Sequence, residues 1–128
     1  DRSLKVDLIE IDCDRYSALP ERQMKEREAQ AFLGRVDKDA YLVVLDGRGR
    51  KLSSEEFAGL LDRQLQSGRK SMCFAIGGAS GWDAKVCKRA DLVLSLSDMT
   101  FSHQLTRLVL VEQIYRAYTI VRGIPYHK

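Results

Sequence analysis

The sequence predicts an α/β fold: a mostly parallel sheet with helices on both faces. Three observations point to it. Short apolar runs at 41–45, 71–76 and 92–96 are bounded by glycines or polar residues, as strands buried on both faces are. Segments of helical composition alternate with those runs. The 128 residues, 45% of them apolar, make one domain. A domain of that size hides roughly two thirds of its unfolded surface.

In chain order, residues 4–11 alternate in part and read as a strand. A polar connection, 12–20, leads into 21–35, which is rich in Glu, Arg, Lys, Gln and Ala; Met24, Ala31 and Phe32 are among its few apolar side chains. That is a solvent-facing helix stopped near Gly34. The strand at 41–45 runs into Asp46-Gly47-Arg48-Gly49. Ser53 and Glu56 have capping-box spacing, so they open a helix that runs to about Gln66 and stops at Gly68. The strand at 71–76 leads to Gly77-Gly78-Ala79-Ser80-Gly81 and a short helix over 82–89. After the run at 92–96 comes a long helix, 104–122, with Gly123 as its stop. Its apolar positions cover more than one stripe, so most sides must be buried. A partner subunit is the expected cover for the second side.

Charge and cysteine usage narrow the function classes. The net charge of +3 is weak as a sign of nucleic-acid binding, but its placement is informative. From Thr100 onward the basic residues are Arg107, Arg116, Arg122 and Lys128 against the single acid Glu112, so all of the excess lies in the last quarter. Both histidines, His103 and His127, lie there too. Cys13, Cys73 and Cys87 are odd in number and lack CxxC spacing, which argues against a disulfide framework and for a reducing compartment. Neither they nor the histidines have metal-ligand spacing. No run approaches the ~20 apolar residues of a membrane span, and no signal-peptide pattern opens the chain.

Ligands of such sheets sit beyond the carboxyl ends of the strands, which directs attention to 45–50, 77–81 and 95–103. The glycine loop suits either a tight turn or an anion at backbone amides, but it is neither GxGxxG nor a P-loop. Residues 95–103 form a polar loop with embedded Leu96, Met99 and Phe101. It reads either as a plug into the core with Ser102 as helix cap, or as a binding loop. Glu112 with Arg116 has the spacing of an intrahelical ion pair; His103 and Arg107 share a face near the helix start. The tail, 123–128, carries an aromatic ring, a histidine and a lysine, which suit a base and a phosphate as well as a frayed end.

Taken as an ordered set, these segments resemble a known family. They are Leu45-Asp46 with Gly49, Ser53-Ser54-Glu55, Ile76-Gly77-Gly78 with Gly81, and Leu94-Ser95-Leu96-Ser97. Met99-Thr100-Phe101, His103-Gln104, Arg107, Glu112-Gln113, Tyr115-Arg116-Ala117 and Pro125-Tyr126-His127-Lys128 complete it. From Leu4 to Lys128 the chain resembles the bacterial large-subunit ribosomal RNA pseudouridine N3-methyltransferases of the SPOUT class. Position 102 is Ser where a proline is common in that family, and Ala79-Ser80 is one of several variants of its glycine loop. Family members begin with a further strand and helix, so residues 1–128 are expected to form a single SPOUT-type domain short of that first pair.

The resemblance implies a C-terminal deep trefoil knot, a cytoplasmic homodimer, no metal and no membrane. It also implies S-adenosylmethionine as methyl donor, and as substrate N3 of a pseudouridine in 23S rRNA of the assembled ribosome. The donor would be held by Leu45, Gly77, Leu96, Ser97, Asp98, Met99, Thr100 and Phe101, with Gly77 leaving room where any Cβ would collide. Arg107, Arg116, Tyr126, His127 and Lys128 would hold RNA. His103, Arg107, Tyr126 and His127 are the catalytic candidates, since proton removal from N3 needs a base or an electrostatic aid and histidine titrates near neutrality. Two other readings predict different behaviour. A non-catalytic knotted dimer that binds RNA or nucleotide would lack donor affinity. A SPOUT methyltransferase with another RNA target would modify another base.

Overall fold

The structure, a computed structural model, describes residues 4–10, 18–77 and 82–128. Four strands, β1 (Lys5–Glu10), β2 (Tyr41–Lys51), β3 (Ser71–Ile76) and β4 (Leu92–Ser95), form one parallel sheet in the order β1-β3-β2-β4. Helices α1 (Glu21–Leu33), α2 (Ser54–Gln66), α3 (Ala84–Arg89) and α4 (His103–Arg122) alternate with them. The expected class and the four expected helices are present. The glycine loop over 78–81 and most of the connection over 12–20 lie outside the described residues.

The period-2 alternation of the central strands divides the core. Leu42, Val44, Cys73 and Ala75 point to one face, with Ala29 and Phe32 of α1 and Val86 of α3. Val43, Leu45, Met72, Phe74 and Ile76 point to the other, with Phe57, Ala58 and Leu60 of α2 and Leu110 and Ala117 of α4. Burial of a ring such as Phe32 or Phe74 is worth ~1.5–3 kcal/mol. Helix α1 is thus less solvent-facing than its composition suggests. It seats Phe32 against the Trp82 ring, with centroids 4.9 Å apart, and also buries the Glu28 carboxylate. Burial pushes the Glu28 carboxyl above the ordinary range.

Caps end the helices where the sequence suggests. The Ser53 hydroxyl accepts from Glu56 N–H at 3.0 Å, and the Glu56 carboxylate accepts from Ser53 N–H at 2.8 Å. Ser102 Oγ accepts from Leu105 N–H at 3.2 Å, and Gly123 takes the left-handed conformation, φ 70°. The short helix begins later than expected: α3 starts at Ala84, because Asp83 caps it by accepting from Lys85 N–H at 2.9 Å.

Strand β2 differs more. The composition ends it at Leu45 because Gly and Asp follow, yet it continues to Lys51. Leu45 pairs with Leu94; so does Arg50, which leaves 46–49 as an irregularity that re-enters the ladder. Asp46 shapes the detour by accepting from Arg48 N–H at 2.9 Å. Gly49 permits the return, since a Cβ there would stand 2.6 Å from the Val93 carbonyl oxygen.

Helix α4 is the element for which a partner subunit is expected to cover a second side. Within one chain it buries only one side, through Leu110, Ala117 and Thr119. Leu105, Leu108, Val111, Tyr115 and Tyr118 remain exposed.

Candidate functional site

The irregular stretch of β2 after Leu45 and the carboxyl ends of β3 and β4 open into a cavity of about 640 Å³. Leu45, Gly77, Leu96, Ser97, Asp98, Met99, Thr100 and Phe101 all line it, together with His103. Three loops far apart in sequence therefore converge on one space, as parallel strands ending side by side require. The volume and the mixture of apolar walls with a few polar groups suit a small-molecule site.

The loop after β4 is held in place by its own hydroxyls. Ser95 Oγ donates to the Ser97 carbonyl at 3.0 Å, and Ser97 Oγ accepts from Met99 N–H at 2.9 Å. Asp98 forms an ion pair with Lys51 at the end of β2. Met99 does not plug into the core; it is 76% exposed at the cavity rim.

Asp46 and Arg48, within the segment 45–50 to which the sheet rule pointed, line the cavity too; Trp82 and Thr106 also line it, and composition gave no sign of them. Trp82 is buried, and its indole N–H donates to the Leu45 carbonyl at 3.1 Å. A Cβ on Gly77 would lie 2.7 Å from the Trp82 ring. The need for glycine at 77 thus comes from the indole behind it, which refines the expected reason. Asp46 carries a pair with Arg48 at 2.9 Å, and the side-chain hydrogen bond from Arg48 holds its carboxyl below the usual range.

His103 opens α4 at the cavity wall. Its Nδ1 lies 3.2 Å from the Gly77 carbonyl. A carbonyl only accepts, so Nδ1 carries the proton in that contact. Nε2 faces the Glu10 carboxylate at 3.9 Å, and Arg107 Nε stands 3.4 Å from the same oxygen. Glu10, at the carboxyl end of β1, thus joins His103 to Arg107, which is outside the cavity lining. The period of the helix brings the last two onto one face; Glu10 left no signal in the sequence.

Arg116, Tyr126 and His127 do not line the cavity; they form a second cluster. Arg116 pairs with Glu112 at 2.9 Å and covers the Tyr126 ring at 4.9 Å from its centroid. The Tyr126 hydroxyl donates to Glu112 at 2.9 Å, and its ring meets Tyr115 edge-on at 5.0 Å. His127 Nδ1 lies 3.0 Å from Arg116 Nη1, and Nε2 lies 2.7 Å from Glu55. The Arg116 hydrogen bond pulls the Glu112 carboxyl down, and Glu112 raises the Tyr126 phenol. Lys128 follows, exposed at the end of the tail. Among the described residues no group of His, Cys, Asp and Glu side chains is placed to hold a metal ion, and no helix is long and apolar enough to cross a membrane.

A family model described as "Predicted SPOUT methyltransferase" matches residues 1–127. The chain is similar to a "Ribosomal RNA large subunit methyltransferase H" of Acetivibrio thermocellus, 47% identical, with 99% of this chain and 82% of the relative covered. Proteins of the same name from Pelotomaculum thermopropionicum and Bacillus pumilus are 45% and 44% identical. Those matches cover 96% and 97% of this chain and 79% and 80% of the relatives.

Proposed function

The chain belongs to the SPOUT methyltransferase family, and on that premise we propose that it methylates N3 of a pseudouridine in 23S rRNA. It acts on the assembled ribosome, in the cytoplasm, with S-adenosylmethionine as donor. The observation that carries this reading is the convergence of Leu45, Gly77 and the loop 96–101 on one cavity at the strand ends. Residues 1–128 are read as one SPOUT domain, its C-terminal half as the family's trefoil knot. Family membership supports the knot.

S-adenosylmethionine, when bound, supplies an electrophilic methyl group on a sulfonium sulfur. The chain's own residues supply place and charge. Leu45, Leu96 and Met99 form apolar walls, and the backbone of 96–101 offers N–H and C=O groups to a purine edge. Ser95, Ser97 and Lys51 keep that loop in shape before a ligand arrives, so less ordering is lost on binding. Holding the acceptor nitrogen in line with the methyl group is worth several kcal/mol. His103, whose Nδ1 donates to the Gly77 carbonyl and whose Nε2 faces Glu10, is the histidine at the cavity wall and the candidate nearest the donor for aiding loss of the N3 proton. Arg107, Arg116 and Lys128 suit phosphates, and Tyr126 a base.

A homodimer completes the site. Leu105, Leu108, Val111, Tyr115 and Tyr118 recur at helical spacing along one face of α4, the largest exposed apolar row among the described residues. The tail cluster lies outside its own chain's cavity, so a two-fold partner is what brings Tyr126 and His127 to a donor.

Incubation with ribosomes and donor, followed by mapping of the modified base, tests this reading. An N3-methylated pseudouridine in 23S rRNA is expected, and either His127→Ala or Tyr126→Phe is expected to reduce turnover. A methyl group on another base, or donor binding with no transfer, would refute the proposal. Full turnover in both variants would remove the tail from it.

A further inference from the structure

We infer that Glu55 is a positioning residue for the substrate-side tail: it holds the His127 imidazole in one tautomer and one place, so that Tyr126, His127 and Lys128 meet RNA already ordered. This rests on the reading of the tail as an RNA-binding surface.

Glu55 stands in the first turn of α2. The cap of that helix is closed by Ser53 and Glu56, its neighbours, so the Glu55 carboxylate is available to another partner. It reaches the tail across 72 positions of sequence, with Oε2 at 2.7 Å from His127 Nε2. On the far side of the ring, Arg116 Nη1 lies 3.0 Å from Nδ1. A guanidinium only donates, so Nδ1 must accept. The ring proton is therefore on Nε2, where it is donated to Glu55. In that tautomer the ring is clamped between a donor cation and an acceptor anion, and neither contact survives in the other tautomer. A carboxylate that fixes the tautomer and direction of a histidine is a recurrent orienting device.

The clamp has a second anchor. Glu112 holds both Arg116 and the Tyr126 hydroxyl, so two carboxylates from two helices tie down adjacent tail residues. Chain ends without such ties fray. Glu55 is also a costly group to place where phosphates are to bind, since its charge repels them. Its contact with His127 gives that charge a local use: the hydrogen bond from the imidazole holds the Glu55 carboxyl below the ordinary range, so it remains an acceptor.

Methylation kinetics on ribosomes and ¹⁵N relaxation of the tail amides in the same variants test the assignment. In Glu55→Ala the KM for ribosomes is expected to rise roughly three- to tenfold, the cost of ordering one or two side chains on binding, with kcat within about twofold. Amides 124–128 are expected to gain fast motion. Glu55→Gln keeps an oxygen that accepts from Nε2–H and is expected to recover most of both. In a His127→Ala background, Glu55→Ala is expected to add nothing, because both changes remove one contact. Unchanged tail relaxation in Glu55→Ala, a KM that falls, or additive losses in the double variant would each overturn the inference. If the wild-type chain transfers no methyl to pseudouridine while its tail amides still respond to Glu55, the positioning stands and the assigned reaction falls.

Discussion

Single residues decide how closely β2 and β4 approach. The backbone of Gly49 passes Val93 with no space for a methyl group, and the obstructing atoms are main chain. Gly49→Ala is expected to cost about 1–3 kcal/mol in urea unfolding, the usual range for overpacking. A loss under about 0.5 kcal/mol, the range of an ordinary surface change, would contradict the close crossing. Asp46 adds a pH dependence. Its carboxyl is held low chiefly by the Arg48 side chain, against the opposing effect of burial. A group depressed in the folded state contributes stability that is complete above its unfolded value and lost as pH falls through its folded one. Asp46→Asn should therefore flatten the acid limb of the stability curve below about pH 4 and leave the slope above about pH 5 unchanged. Urea midpoints across that range measure it.

At the scale of elements, α4 is the helix whose composition and environment disagree. Its row from Leu105 to Tyr118 is apolar but faces away from its own sheet, and Leu108 at its middle is 66% exposed. In the proposed homodimer a second copy of the chain would resolve the conflict by burying the row against itself. Leu108→Glu is expected to leave the monomer folded, since the side chain is largely exposed in the single chain, and to shift sedimentation from dimer to monomer. A wild-type chain that sediments as a monomer at micromolar concentration would remove this role for α4. Helix α2 shows the opposite case, in which local sequence is enough: Ser53 and Glu56 satisfy each other's backbone groups as their spacing implies.

For the molecule as a whole, the proposed donor cavity is a property of the sheet, because its lining comes from the irregular stretch of β2, the ends of β3 and β4, the loop after β4 and the start of α4. A ligand that binds only the assembled cavity must stabilise the entire fold. The demethylated product, S-adenosylhomocysteine, at about 100 times its Kd should add about 2.7 kcal/mol of stability at one site per chain. A thermal melt indifferent to saturating product would argue for an RNA-binding protein without donor chemistry.

The sequence by itself determined the elements and their class. Apolar runs that alternate with capped helices admit few arrangements besides a parallel sheet covered on both faces, and period and capping are local physics. The ordered motifs also singled out residues that the structure brings together around one cavity, since motif order follows the chain. Only the tertiary structure decided how far β2 runs past Leu45, why position 77 must be glycine, and which carboxylates attend the histidines. Those outcomes depend on pairs distant in sequence: Gly49 with Val93, Gly77 with Trp82, Glu10 with Arg107, Glu55 with His127. Contacts of that kind leave no periodic or compositional trace, because each partner alone is an ordinary turn glycine or surface carboxylate. They acquire meaning when the sheet sets the distance between them.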